Sequence, residues 1–195
     1  MKNLKLLSLL WIALVSMTLV GCQKENTPTD NQNNNQDIII EEITNSVINY
    51  NDGLVNIAQT CFESEQNIWA AYDDENADIE DVQNAIDNTI TVCNESINNL
   101  NQLGDWEGDS SLKDGVVAII EKDIQYYSKL TELLKINPDN SEELSEEDAA
   151  AYDAIVSEIN AIDDQLLEAN EELVGIQERF AENHWYELNN AEEAE

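Results

Sequence analysis

The chain has 195 residues, 42 Asp and Glu against 8 Lys and Arg, and a formal net charge of −34 at pH 7. So acidic a surface is repelled by phosphate, which argues against nucleic acid as a partner and against lying flat on anionic lipid. Hydrophobic residues still make up 42% of the chain, enough for one domain with a real core.

Met1-Lys2-Asn3-Leu4-Lys5 is basic, Leu6 to Val20 is an uncharged apolar run, and Gly21 is small. Residues 1–21 therefore read as a secretory signal with cleavage before Cys22. A spanning helix takes about 20 apolar residues, and this run breaks off at Gly21 before polar Gln23-Lys24-Glu25-Asn26. Leu19-Val20-Gly21-Cys22 resembles the lipobox of bacterial lipoproteins. The resemblance implies a diacylglycerol on the Cys22 sulfur and an acyl chain on its new amino group, and no other cofactor. It also implies a lipid-anchored place in the cell envelope. Two or more chains anchor firmly, because each buried CH2 contributes about 0.8 kcal/mol. Gln23 stands where an Asp would resemble an inner-membrane retention signal, so the outer membrane is favoured, with the periplasmic or surface face left open. Gln23-Lys24-Glu25 also resembles the short surface-display signals of Bacteroidota, a pattern from which Asn26 departs.

Residues 22–37 are almost wholly polar after the cysteine, with Pro28 and the run Asn31-Gln32-Asn33-Asn34-Asn35-Gln36. Such a segment buries too little apolar surface to offset its ordering entropy, so it reads as a flexible tether of roughly 50 Å at full stretch. From Ile38 apolar residues recur in steps of three and four, the mark of a helix, over 38–73. A second stripe, Ile79, Val82, Ile86, Ile90, Cys93, Ile97 and Leu100, predicts a helix over 78–102. Gly104 to Ser110 reads as a loop holding Trp106. Ser111 with Asp114 opens a third helix over 111–136 through Val116, Ile120, Tyr127, Leu130 and Leu134, which Pro138 stops. Ser145 with Asp148 opens a fourth over 145–190, with the unbroken stripe Tyr152, Ile155, Ile159, Ile162, Leu166, Ala169, Leu173, Ile176 and Phe180. Residues 191–195 form an acidic tail.

No stretch alternates like a strand, and the expected fold is an all-α, up-down-up-down four-helix bundle. Short connections favour pairing within one chain over a self-associating coiled coil, so a monomer is expected. If the first two helices fold back near position 77, Cys61 faces Cys93, and a disulfide between them is expected in a secreted compartment; two buried free thiols are the alternative. If the last two turn near 141, the start of the first helix (Ile38 to Tyr50) and the end of the fourth (Leu173 to about Glu187) overhang as a two-helix stalk. Ile39, Ile43, Val47, Ile176, Phe180 and Trp185 would buttress it, with the Trp106 loop against its base.

Catalytic machinery is not legible. His184 is the only histidine, and Ala181 stands where a di-iron Glu-x-x-His pair needs its Glu. His184 reads instead as a solvated position near a helix end. Cys61, Cys93 and His184 are too few for structural zinc. The acidic clusters Asp73 to Asp78 and Asp139 to Asp148 fit no EF-hand, since Ile79 and Ala85 fall where Gly and Glu belong. No Gly-x-Ser-x-Gly, P-loop or Rossmann glycine pattern occurs, so neither an enzyme nor a specific metal site is expected. Trp106, in Gly104-Asp105-Trp106-Glu107-Gly108-Asp109, is either a lid on the bundle end or the best candidate for a partner contact. Gly108 to Asp114 also resembles a loop-to-helix pattern in uncharacterised helical surface lipoproteins of Bacteroidota and spirochaetes, which brings no known activity. The expectation is a lipid-anchored, non-enzymatic binding or interaction module for a protein or glycan partner. The alternatives are a structural envelope spacer and a divalent-cation-binding surface protein.

Overall fold

Four short-range caps set where the helices begin in the computed structural model, which describes residues 46–74, 76–136 and 144–184. Ser46 Oγ accepts from the Asn49 amide at 3.1 Å and opens α1 (Val47–Asp73). Asp78 accepts from the Glu80 and Asp81 amides while Asp81 accepts from the Asp78 amide, a capping box that opens α2 (Ile79–Leu103). Asp109 Oδ1 accepts from the Ser111 amide at 2.9 Å ahead of α3 (Ser111–Ile136). Ser145 Oγ accepts from the Asp148 amide at 3.1 Å ahead of α4 (Glu146–His184).

α3 occupies its expected range and α2 lies one residue from its own. α1 begins at Val47, because extended backbone at Ser46 (φ −155°) caps it there. Residues 1–45, with the expected signal, tether and first helical turns, lie outside the described residues, as do 185–195 with the expected end of the fourth helix and the acidic tail.

The helices form an all-α up-down-up-down bundle, and among the described residues there is no strand. α3 packs on α4 and α2 and reaches diagonally to α1, while α1 and α4 touch only sparsely. The core runs its full length, from Tyr50, Leu112 and Phe180 at one end to Ile68, Leu130 and Leu134 at the other.

α1 and α2 approach closely because small side chains line their seam. Ala58, Cys61 and Ser64 meet Thr89, Cys93 and Ser96, with Thr89 Oγ1 donating to the Ser64 carbonyl at 3.0 Å. Cys61 and Cys93 are disulfide-bonded, their Cα atoms 4.5 Å apart, and this fixes the register expected from the fold-back near position 77. The same seam corrects the stripe read for the second helix. Thr89 and Ser96 are buried while Ile90 and Ile97 are only partly so, because a close helix crossing favours small side chains over branched ones.

The register of α3 on α4 also differs from expectation. Lys122 Nζ donates to Gln165 Oε1 at 2.7 Å and Lys129 Nζ meets Glu158 Oε2 at 2.8 Å, which moves the turn from near 141 to near 144. Leu173 and Ile176 thereby crowd Gly115 at the start of α3, and Phe180 stacks on Tyr50. At their described ends Tyr50 of α1 stacks on Phe180 of α4 with Trp106 of the 104–110 loop against Tyr50, and the rest of the expected two-helix stalk, with Ile39, Ile43 and Trp185, lies outside the described residues.

The α2–α3 connection turns on Gly104 at φ +75° and ψ −163°, backbone that only glycine adopts without strain. Its carbonyl accepts from Tyr50 Oη at 2.8 Å. Nothing lies within 4 Å of a Cβ built there, so the cost of Gly104→Ala is purely conformational. We expect about 1 to 3 kcal/mol of lost stability, read as a lower urea midpoint at unchanged slope.

Candidate functional site

Both stripes that build the middle of the core skip a position. On α1 the apolar residues jump from Cys61 to Ile68, and on α3 from Ile120 to Tyr127. The gaps are filled by acids: Glu65 and Asp123 are each only 4% exposed. Asp163 joins them from α4 and is half-buried. Three carboxylates from three helices thus meet in the bundle interior, and their mutual repulsion is felt at Asp123 from both Glu65 and Asp163.

The surroundings offer these acids few donors. Glu65 Oε1 accepts from Trp69 Nε1 at 3.0 Å and also bonds the Tyr127 hydroxyl. One carboxyl oxygen of Asp123 and one of Asp163 are buried without a hydrogen-bond partner. Burial, then Glu65 and Asp163, hold the Asp123 carboxyl well above the usual carboxylate range. Burial also raises Glu65, and it pushes Asp163, with help from Asp164, up to about 6. The Tyr126 and Tyr127 hydroxyls are driven upward by burial and by the same acids. Among the described residues no group of three His, Cys, Asp or Glu is placed to hold a metal ion.

At the end of the bundle where α1 begins, the 104–110 loop closes over the core. Trp106 packs on Tyr50 with ring centroids 5.5 Å apart and meets His184 edge-on at 6.5 Å. The loop is pinned twice, by Lys113 to Asp105 and by His184 Nε2 to Asp109 Oδ2 at 3.2 Å. Trp106 therefore packs over the bundle end while remaining partly exposed. His184, expected in solvent, instead lies partly buried on Phe180, with ring centroids 4.5 Å apart, because the last turn of α4 carries it under the loop. Hydrogen bonds from Ser111, and then the one to His184, hold the Asp109 carboxyl below the usual range.

At the opposite end Ile68, Trp69, Tyr72, Val82, Ile86 and Leu130, with Leu133 and Leu134, line a shallow apolar hollow between α1, α2 and α3. Tyr126 and Tyr127 from α3 are buried, while Trp69 and Tyr72 are half-buried at the rim of the hollow.

The acidic runs next to the helices act locally. Asp74 accepts from the Asn76 backbone and side chain, Asp78 and Asp81 cap α2, and Asp148 accepts from Ser145. Cys22, the expected lipid site, lies outside the described residues. Among the described residues no helix is long and apolar enough to cross a membrane. No family model, curated protein or solved structure matches the chain.

Proposed function

We propose that the chain is a membrane-anchored, extracytoplasmic lipoprotein that works as a non-enzymatic binding module. What supports the reading is the order of its parts. A lipobox-like Cys22 and a polar linker precede a disulfide-tied bundle whose first helix starts at the lid end. The apolar hollow around Trp69 and Tyr72 sits at the other end, roughly 35 Å along α1 from Ser46. An anchored bundle of this kind carries its apolar hollow away from the point of attachment. The strongly negative surface keeps the body clear of anionic headgroups and speeds encounter with a basic partner.

Feeding labelled palmitate to cells that process lipoproteins tests the anchor. The wild-type chain is expected to take up label and sediment with membranes, and Cys22→Ala to do neither. An unlabelled wild type would remove the anchor and the reading with it. For the binding half, immobilised protein is expected to retain an envelope partner saturably, with retention weakened about tenfold by Trp69→Ala or Tyr72→Ala, the loss of about 1.4 kcal/mol. If nothing is retained saturably, the bundle is a spacer.

A further inference from the structure

The interior acids call for an account of their own. A carboxylate ionised away from water costs far more than one neutralised by a proton, unless a cation or several donors face it. None of the helices around Asp123 supplies a cation. α2 offers Thr89 and Cys93 at this level, the first donating to a backbone carbonyl and the second bonded to Cys61. α1 offers Glu65, α4 offers Asp163 with Asp164 beside it, and α3 itself offers Tyr126 and Tyr127. The lysines of α3 nearest in sequence point elsewhere: Lys122 bonds Gln165, and Lys129 bonds Glu132 and Glu158.

We propose that Glu65, Asp123 and Asp163 form a proton-operated clasp, in which neutral carboxyls let α1 and α4 stay packed across α3 and ionised ones push that seam apart. The seam is suited to the part, because α1 and α4 meet directly at the lid end, through Gln177 Nε2 donating to Asn51 Oδ1 at 3.2 Å and through Tyr50 against Phe180, and only sparsely above it. The repulsion between ionised Glu65 and Asp163 therefore falls on the sparsely packed α1–α4 seam.

The direction of the response follows from linkage. An acid held above its unfolded value binds more protons in the folded chain than in the unfolded one. Stability is then fully present below about pH 4 and falls as pH rises to the folded value. For Asp163 the fall is complete by about pH 6 to 7, and Asp123, also raised, adds to the fall in the same direction.

Melting the purified chain from pH 4.5 to 8 tests the clasp, in 0.05 M and 0.5 M NaCl and alongside the surface control Glu121→Gln. Repulsion among exposed acids is screened by salt, whereas buried groups are screened much less. The melting midpoint is expected to fall by on the order of 10 °C across this range at either salt. Asp123→Asn should flatten that fall and Glu121→Gln should leave it intact. Where Asn at 123 folds poorly, the infrared band of a protonated carboxyl supplies the second readout. It should be present in the folded wild type at pH 7 and diminished in Asp163→Asn or Glu65→Gln. Hydrogen exchange at pH 8 should quicken at the middle of α1 and α4 before α2. A slope that disappears in 0.5 M salt, a folded Asp123→Asn with the wild-type slope, or a folded wild type without the protonated band at pH 7 would overturn the proposal.

Discussion

Replacing both cysteines, as Cys61→Ala with Cys93→Ala, is expected to cost about 3 to 4 kcal/mol. The bond joins residues 32 apart in sequence, so without it the unfolded chain recovers the entropy of a loop of that length. Two further effects act on the folded side. Both positions are fully buried in the seam of small residues, and alanine keeps that seam closed without leaving a hydroxyl or thiol in need of a partner. The loss should therefore come close to the loop-closure figure, with a melting midpoint lower by on the order of 10 °C. Thermal melts with and without reductant check it: reduced wild type and the double variant should coincide. A reduced wild type that melts with the oxidised one would mean that the α1–α2 pairing already persists in the unfolded ensemble.

Phe180→Ala should cost more, about 3 to 5 kcal/mol. Phe180 is fully buried and sits between Tyr50 and His184, so its removal opens a void beneath the lid and takes the support from both rings. Tyr50 would keep its bond to the Gly104 carbonyl, and Lys113 would keep Asp105. Trp106 would nevertheless lose the backing that holds His184 against it. Chemical denaturation should show the loss as a lower midpoint, and hydrogen exchange should rise first at 104–110. Phe180→Leu, which fills most of the volume, should recover at least half of the stability. Since Phe180 and the disulfide lie in different parts of the bundle, the two losses should add within about 0.5 kcal/mol.

Much of the fold was legible because the periodic signals were long. The stripe of α4 runs from Tyr152 to Phe180 without a fault, and Ser111 and Ser145 mark helix starts that the structure keeps. Cys61 and Cys93 revealed the α1–α2 register because two cysteines can test a fold-back that apolar residues alone leave loose. The α3–α4 register was less legible, since the residues between Pro138 and Ser145 are polar apart from Leu144 and mark no turn centre. That small shift set Leu173 against Gly115 on α3, while Phe180 meets Tyr50 and His184 lies under the lid. The interior acids were the hardest to see. Among 42 acidic residues Glu65 and Asp123 stand out only by position, each filling a skipped step in an otherwise apolar stripe. Asp163, beside Ile162 on a helix with charges on every face, had no comparable signal.

The place of the disulfide also decides how the bundle answers to force. A pull transmitted through the N-terminal segment enters at Ser46 and peels α1 from its own start. Only Val47 to Thr60 can be drawn out, about 50 Å of contour, before the load reaches Cys61 and passes through the covalent link to Cys93 on α2. Everything between the two cysteines, including the rim residues Trp69 and Tyr72, is thereby shielded from tension. A chain pulled from its N-terminal side would thus surrender its lid end and keep the α1–α2 wall of its hollow, and reductant would remove that protection.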